Sequence, residues 1–305
     1  MNNYSSSDMT KMFVQQLDTQ EGKDKYAAAG AAYIRDRLRE TSFARKILPP
    51  EQVTKADCQR SLDHDGLVKI VDIEPNSYAM AMNFTAEPDG VYITGKRFQI
   101  PFFTISSTKF AKAEQELLAY EMPITKVIEQ NSVKDIQKIE DAVFIDYAYA
   151  AIKNNSAKNV QIAGKTTITA KDDIVTGLNT LENDEMPVGV MLMTKATLNT
   201  ILSLTTVQLG EVLGSEVFRD GYKYNQLLGH KLVTTIKNDI IKNNEVWFFS
   251  EPDFLGKFFV LNNTKFYIDK RGNMVEWWSW EDIAMGFGNV RGIGRIYFGS
   301  SDPRA

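Results

Sequence analysis

The clearest pattern along the chain is an alternation of apolar residues with smaller or polar ones. Tyr78, Met80, Met82 and Phe84 occupy every second position, which is the period of a half-buried strand. The tetrapeptide 87–90 (EPDG) then predicts a turn, because proline stands at its preferred second position and glycine closes it.

The residues after this turn predict the return strand of a hairpin. Pro88 lies in the turn itself, and Val91 and Ile93 lead into the strand-forming run 98–100 (FQI). A two-stranded ribbon is marginally stable alone in water. We therefore expect the hairpin to need a partner surface, which is a first indication of assembly.

Residues 132–153 carry a strong helical pattern. A capping-box-like start at Ser132 precedes an apolar face, formed by Val133, Ile136, Ile139, Val143 and Tyr147. The polar residues that fall away from this face are Lys134, Asp135, Lys138 and Asp141. The length predicts a structural spine helix.

The N-terminal part has two sections. The first 20 residues are polar and weakly patterned, which predicts a mobile arm. Residues 23–46 are rich in Ala, Arg, Leu and Glu and predict a helix, which Pro49 and Pro50 end. We expect this arm to dock onto another surface, for example a second copy of the chain.

Helices and strands alternate between residues 160 and 250, which predicts a compact α/β unit. Expected helices follow Thr169 and Thr194, and the expected strands are 188–193, 232–236 and 245–250. From residue 255 onward the chain is strand-rich, with expected strands at 258–261, 265–268, 274–280 and 291–298. The fold class predicted for the whole chain is α+β.

Composition and charge narrow the classes of function. Hydrophobic residues make up 43% and charged residues 24% of the 305 residues, as in ordinary globular proteins. The apolar stretches are too short to cross a bilayer, and the N-terminus lacks a signal-peptide pattern. We expect synthesis in the cytoplasm and no membrane partner.

The net charge of −4 comes from 39 acidic and 35 basic residues mixed along the chain. Proteins that bind nucleic acid through phosphates usually carry a basic excess or a basic stripe. Contact with DNA is therefore expected to be weak or geometric and not sequence-specific.

Candidate catalytic or metal-binding residues are few. His64 lies in the stretch 63–66 (DHDG), which favours a polar loop over a metal loop because no ligand cluster follows at useful spacing. His230 is expected to be a structural turn residue. The single cysteine, Cys58, excludes an intrachain disulfide, and its neighbour Asp57 would raise the pKa of its thiol.

Two carboxylate pairs, Glu140-Asp141 and Asp172-Asp173, lie on expected helices. Adjacent helix positions point in different directions, so neither pair predicts an acid–base dyad, and solvated faces are expected. The stretch 286–294 fails the dinucleotide-binding pattern because its sixth position is Arg291 and a strand follows. We predict no catalytic, cofactor or metal site.

Tryptophans cluster at positions 277, 278 and 280. Strand alternation puts Trp278 and Trp280 on one face and Trp277 on the other. Such residues could form a stacking platform for sugars or bases, but a core and a subunit interface are the commoner use. Trp278 and Trp280 therefore join the hairpin residues as a predicted subunit interface.

The order of these elements resembles the Hong Kong-type fold of tailed-bacteriophage major capsid proteins. That order is an arm, a long hairpin, a spine helix, a mixed α/β unit and a strand-rich return. The segments similar to the family are 136–144 (IQKIEDAVF), 227–233 (LLGHKLV), 254–258 (FLGKF) and 286–296. The likeness covers nearly the whole chain from Asp63 onward.

The resemblance implies four parts, namely an N-terminal arm (1–60), an extended hairpin called the E-loop (61–108), a peripheral domain (109–160 and 256–305) and an axial domain (161–255). It also implies copies of the chain in pentamers and hexamers, closing into an icosahedral shell around double-stranded DNA. Portal and scaffold or decoration proteins would be further partners, and the virion would be the location. The Lys–Asn crosslink of some relatives is not assigned to residues here.

Three alternatives remain open at this point. An encapsulin-type nanocompartment shell would use the same fold to enclose cargo enzymes. A phage tail component would form tubes or rings. A soluble enzyme without recognisable motifs belongs to another class, and the loop around His64 would then be the first place to search.

Overall fold

The structure is a computed structural model. It describes residues 42–61, 66–75, 77, 79–84, 87, 90, 92, 94–119, 124–204 and 226–304. The expected mobile arm and most of the expected helix over 23–46 lie outside these residues.

One helix is much longer than the other described helices. The helices are α1 (Ala44–Ile47), α2 (Glu114–Ala119), α3 (Ile124–Ile152), α4 (Lys171–Glu182), α5 (Lys195–Leu202) and α6 (Pro252–Leu255). Short 3-10 turns cover Lys55–Asp57 and Val290–Gly292. The spine helix is α3, and its 29 residues correspond to about 43 Å of helix.

Strands occur in the hairpin region and in both later parts of the chain. The first seven are β1 (Pro50–Gln52), β2 (Gln59–Arg60), β3 (Leu67–Ile73), β4 (Lys96–Pro101), β5 (Phe103–Ser106), β6 (Phe110–Ala113) and β7 (Asn159–Ile162). The others are β8 (Val188–Thr194), β9 (Gln226–Leu227), β10 (His230–Thr235), β11 (Glu245–Ser250), β12 (Gly256–Arg271), β13 (Met274–Phe287) and β14 (Ile293–Phe298).

The described strands form three sheets. A six-stranded mixed sheet has the order β7-β14-β11-β8-β10-β9, and a five-stranded sheet has the order β1-β12-β13-β5, with β6 also paired to β13. The third sheet is β2-β3-β4. Mixed sheets with helices on their faces confirm the α+β prediction.

The six-stranded sheet holds the centre of the core. Every residue of β11 is buried, because the strand is covered on both sides, as central strands of layered α/β sheets are. Val246 and Phe248 pack with Ile174 and Leu178 of α4. Trp247 and Phe249 face the opposite side, in the cluster that contains Phe144 of α3.

The elements expected between residues 170 and 250 are confirmed. Thr194 caps α5, and its hydroxyl accepts a hydrogen bond from the Thr197 amide at 3.2 Å. The Asp173 carboxylate stabilises the first turn of α4 by accepting hydrogen bonds from the amides of Thr169 and Ala170 at 2.9 and 3.2 Å. Asp172 is exposed as expected, but Asp173 is 4% exposed, so its expected solvated position is wrong.

The spine helix begins earlier than expected and buries a different face. It starts at Ile124, so Ser132 lies buried within it instead of capping it. Val133 and Ile136 are buried as expected, but Ile139 and Tyr147 are 44% and 42% exposed. The buried arc instead runs through Glu140, Asp141, Phe144, Ile145, Ala148 and Ile152. Burial of the two carboxylates is possible because cations from other elements pair with them.

The hairpin exists, but its strands lie further from the turn than expected. β3 and β4 pair antiparallel, with Ile73 opposite Lys96 as the last pair. The described residues between them carry no strand, and Met80, Met82 and Phe84 are 42%, 38% and 111% exposed. The expectation of a half-buried strand at these three positions is therefore wrong.

The limits of the four expected domains stay a prediction. Strand β14 pairs with β11 and β7 and so belongs to the six-stranded sheet. The predicted domain limits assign it to the second part of the peripheral domain, residues 256–305. The long hairpin β12–β13 forms the other sheet with β5, β6 and β1.

Gly177 of α4 tests the packing between this helix and the central strand. A Cβ at this position would overlap the ring of Phe248. Alanine normally favours a helix by about 1 kcal/mol over glycine, but here overpacking is expected to dominate. Gly177→Ala should lower the free energy of unfolding by about 1–3 kcal/mol in denaturant titrations.

Gly95→Ala is the matched control, because a Cβ there meets nothing within 4 Å. It should change the free energy of unfolding by less than about 0.5 kcal/mol. A Gly177→Ala variant as stable as the control would contradict the packing of α4 against β11.

Candidate assembly surfaces

The segment between β3 and β4, residues 74–95, is called the tip segment here. Among its described residues, four large apolar side chains are exposed, namely Met80, Met82, Phe84 and Tyr92, the last at 96%. The predicted interface residues Tyr78, Pro88, Val91 and Ile93 lie outside the described residues. The tip segment contains Glu74, Glu87 and Asp89 and no lysine or arginine, so it is acidic as well as apolar.

A second exposed patch lies on the hairpin of β12 and β13. Tyr267 stands opposite Trp278, with ring centroids 4.6 Å apart, and Lys265 stands opposite Trp280. Trp280 is 38% exposed and Trp278 is half-buried. These four residues and Lys109 are called the aromatic face.

Strand alternation separates the aromatic face from the core. Trp277 points to the other side of β13 and is 1% exposed. The lysines complete the face, because the Nζ of Lys109 lies 5.1 Å from the ring centroid of Trp278, and that of Lys265 lies 5.8 Å from that of Trp280. Cation–π contacts of this kind hold a positive charge over exposed rings.

A groove borders the aromatic face. Trp280 and Lys265 line a cavity of about 420 Å³. Its wall also contains Leu67 of β3, Phe102 between β4 and β5, and Leu261 of β12. The groove offers apolar side walls beside a lysine, which suits an apolar side chain on an acidic segment.

The chain N-terminal to the hairpin is bound to the spine helix through buried charges. Residues 42–53 are called the strap. Asp141 accepts hydrogen bonds from the Ser42 hydroxyl at 2.6 Å and the Ala44 amide at 3.0 Å, and it pairs with Lys237 at 2.6 Å. Asp141 is fully buried, so its expected solvated position is wrong.

Glu140 is the second buried carboxylate of the spine helix. Both of its oxygens accept hydrogen bonds from the guanidinium of Arg45, at 2.9–3.1 Å. The same guanidinium donates to Glu281 of β13 at 2.7 Å. Burial disfavours the charge on Arg45, but Glu140 and Glu281 outweigh it and raise its pKa.

Sequence reasoning missed this charge cluster. The partners are separated by 95 and 236 positions, and no local pattern links them. The only signal was a pair of acidic residues within an otherwise apolar helix arc, and this pair was interpreted as solvated.

A second buried ion-pair network closes the C-terminal end of the described chain. Arg295 is fully buried and donates to Glu245 at 2.8 Å and to Asp302 at 2.8 and 3.0 Å. Arg304 also binds Glu245, at 2.7–3.0 Å. The ring of Tyr297 lies 4.8 Å from the Arg295 guanidinium.

The residues singled out for chemistry are separate from these surfaces. The Cys58 thiol donates to the Thr54 carbonyl at 3.3 Å, and burial raises its pKa. His230 begins β10, with Nδ1 2.9 Å from the Val188 carbonyl. His64 lies outside the described residues. Gly286 is the second-last residue of β13, and the residues after the 3-10 turn Val290–Gly292 form β14, the strand expected there.

The described residues contain no group of three His, Cys, Asp or Glu side chains placed to hold a metal ion. No described helix combines the length and apolar character required to span a membrane.

Asp302 predicts acid sensitivity of the C-terminal network. Burial favours the neutral carboxyl, but hydrogen bonds from Arg295, the Arg304 amide and Asn159 lower its pKa to about 2. A lowered pKa contributes stability above the ordinary pKa of an aspartate, and this contribution is lost as pH falls toward 2. Asp302→Asn should therefore cost about 2 kcal/mol of unfolding free energy at neutral pH and flatten the loss between pH 4 and 2.

Denaturant titrations from pH 7 to 2 measure this effect. Asp172→Asn serves as the control, because Asp172 is exposed on α4. An Asp302→Asn variant that keeps the wild-type stability profile would show that the network does not hold the end of the chain.

Comparison with known proteins identifies the fold. No protein-family model matches the chain, and no curated protein matches it in sequence. Solved structures match along most of its length. The capsid of a native GTA particle shares 14% identity at a TM-score of 0.57, covering 87% of this chain and 92% of that one.

Two more structures extend this likeness. A structure from Microbacterium phage Oxtober96 shares 12% identity at a TM-score of 0.61, covering 86% of this chain and 93% of that one. A virus-like particle from Pyrococcus furiosus shares 15% identity at a TM-score of 0.52, covering 90% of this chain and 98% of that one. The chain therefore has the Hong Kong-type phage capsid fold, as the order of its elements predicts.

Proposed function

We propose that the chain is the major capsid protein of a tailed bacteriophage. In this proposal it is a structural subunit and not an enzyme, and its copies form pentamers and hexamers that close into an icosahedral shell. The observation that carries the proposal is a fold shared with a particle capsid along 87% of the chain, combined with an exposed apolar tip segment.

The tip segment supports assembly on energetic grounds. Phe84 and Tyr92 are almost fully exposed, and the exposed Met80 and Met82 lie within four residues of Phe84 in sequence. Contiguous exposed apolar surface on a soluble protein marks an interaction site. Burial of a large apolar side chain contributes about 1.5–3 kcal/mol, so a repeated contact through this segment would favour association.

The aromatic face is the surface that suits the tip segment of a neighbouring copy. The tip segment carries three acidic residues and no basic ones, whereas Lys265 lies over Trp280, and Lys109 lies over Trp278 and pairs with Glu276 at 2.5 Å. Opposite charges around apolar side chains set the register of a contact. A contact between two different patches is head-to-tail, and such contacts form rings when the rotation closes.

The four expected parts give each surface a role in this proposal. The arm (1–60) and the E-loop (61–108) reach neighbouring subunits, the peripheral domain (109–160 and 256–305) carries the aromatic face, and the axial domain (161–255) lies at the ring centres. We propose portal and scaffold or decoration proteins as further partners.

The shell would enclose double-stranded DNA without reading its sequence. A net charge of −4 suits an inner wall that contains DNA without adhering to it, because tight phosphate binding needs a basic surface. In this proposal the protein is synthesised in the host cytoplasm and resides in the virion.

An encapsulin-type shell is the nearest alternative, since it would use the same fold. The TM-score with the virus-like particle, 0.52, is lower than the TM-score of 0.61 with the structure from Microbacterium phage Oxtober96. The contents of the particle separate the two, because cargo protein in place of DNA would favour the encapsulin.

Expression of the chain alone, followed by size-exclusion chromatography and negative-stain electron microscopy, tests the proposed function. Closed shells, or rings of five and six subunits, are the expected result. A monomer at every concentration and salt, also after addition of the neighbouring phage proteins, would overturn the proposal. A saturable catalytic activity of that monomer would then favour the enzyme alternative.

Phe84→Asp tests the role of the tip segment. Replacing an exposed phenylalanine with a charge should abolish shells and rings while leaving the unfolding free energy within about 0.5 kcal/mol of the wild type. Asn83→Asp is the matched control, because it adds the same charge next to Phe84 at an exposed polar position. Chromatography and electron microscopy compare the two variants.

Mixing of variants identifies the partner of the tip segment. Lys109→Glu/Lys265→Glu should also block assembly, because it reverses the charge of the aromatic face. In a mixture with Phe84→Asp, each chain keeps one intact patch, so pairs that do not grow further are expected. Full assembly of the lysine variant alone would show that the tip segment binds elsewhere.

A further inference from the structure

The methionines of the described part of the chain divide into two groups by exposure. The buried or half-buried ones are Met186, Met191, Met193 and Met285. The exposed ones are Met80, Met82 and Met274, at 42%, 38% and 36%. Solvent and small solutes dissolved in it therefore reach the second group far more easily than the first.

The exposed methionines lie on the two surfaces that carry the proposed contact between copies. Met80 and Met82 belong to the tip segment, where Met82 is two positions from Phe84. Met274 begins β13 and is an even number of positions from Trp278 and Trp280, along a stretch in which exposed or half-buried residues alternate with buried ones. Alternation along a strand places it on the same side of β13 as the aromatic face.

Methionine gives such a surface a chemical property that leucine would not give it. Its thioether is apolar and adapts to irregular partners, but oxidation converts it into a polar, chiral sulfoxide. An oxygen of this kind disfavours burial unless a hydrogen-bond donor meets it. Oxidation therefore weakens a contact that depends on covering these side chains.

We propose that Met80, Met82 and Met274 are oxidation sites that control association, such that their conversion to methionine sulfoxide by hydrogen peroxide blocks assembly and their reduction restores it. This inference rests on the proposed shell function and adds a chemical regulation of the same contact surfaces.

The oxidation step is a two-electron oxygen transfer. A lone pair of the thioether sulfur attacks one oxygen of hydrogen peroxide, and the O–O bond breaks as the S–O bond forms. The proton of the transferred hydroxyl leaves with the other oxygen, so the products are the sulfoxide and water. In the reverse direction methionine sulfoxide reductases, one for each sulfoxide epimer, take two electrons and two protons from a dithiol, which becomes a disulfide, and release the oxygen as water.

The single cysteine is the other group that peroxide could oxidise. Cys58 is partly buried, and its thiol donates to the Thr54 carbonyl at 3.3 Å. Burial raises the pKa of this thiol, which keeps the reactive thiolate scarce. Cys58→Ser removes the thiol altogether and is the background for the test.

Peroxide treatment of the full-length chain before assembly tests the inference. The unassembled Cys58→Ser protein is oxidised, the peroxide is removed with catalase, and assembly is followed by size-exclusion chromatography and electron microscopy. Peptide mass spectrometry should find sulfoxide at Met80, Met82 and Met274 before Met191 and Met193. The protein concentration needed for assembly should rise about tenfold or more, and treatment with both reductases should return it to the starting value.

A variant with Met80→Leu, Met82→Leu and Met274→Leu removes the three sulfur atoms at nearly constant volume. It should assemble as the Cys58→Ser protein does and keep assembling after peroxide. Met186→Leu is the matched control, because Met186 is half-buried and belongs to neither surface, and it should remain sensitive to peroxide. Both variants retain Met1, Met9, Met12 and Met122, which lie outside the described residues.

The outcomes separate this inference from the proposed function. Absence of assembly before any peroxide is added would overturn the proposed shell and the oxidation control together. Normal assembly of protein that mass spectrometry shows to be oxidised at Met80, Met82 and Met274 would overturn the oxidation control alone. An equal block in the triple leucine variant would also overturn it, because the target of peroxide would then lie elsewhere.

Discussion

The buried ion pairs of the spine helix connect most parts of the described structure. Glu140 and Asp141 lie fully buried on the arc of α3 that faces the core. Through Arg45 and Lys237 they tie α3 to the strap, to β13 and to the residues after β10. Removing one partner of a buried pair costs about 3–5 kcal/mol, because the other charge stays buried without compensation. The strap must therefore stay in place for Glu140 and Asp141 of α3 to remain paired in the core.

Buried ion pairs also stabilise the C-terminal part of the fold, whereas part of the surface exposes apolar side chains. Arg295 is fully buried between Glu245 and Asp302, so the six-stranded sheet is closed by charges satisfied within the chain. The tip segment and the aromatic face leave apolar side chains exposed instead, Phe84 and Trp280 among them. Ion pairs made within the chain stabilise its core. The exposed apolar side chains remain available for contact with another surface, which favours association.

The low identity to the structural relatives has a physical explanation. Sequence identities of 12–15% accompany coverage of 86–90% of this chain. The fold depends on the burial pattern of β11 and on the spine helix, and many apolar side chains can meet such a pattern if total volume is kept.

Local patterning determined the type and order of most elements. Helix α4, strand β8, the Thr194 cap and the strands from 245 to the end follow from spacing and capping, which act within a few residues. The order of these elements was enough to predict the fold. The presence of a hairpin before the spine helix also followed from its turn residues.

Only the tertiary structure decided which faces are buried. The alternation at Met80 and Met82 predicted a half-buried strand, yet these residues lie exposed beyond the paired part of the hairpin. The carboxylates of Glu140 and Asp141 suggested solvent, yet cations 95 and 96 positions away hold them in the core. Periodicity records the repeat of a local structure, but burial of a charge depends on a partner that only folding brings near.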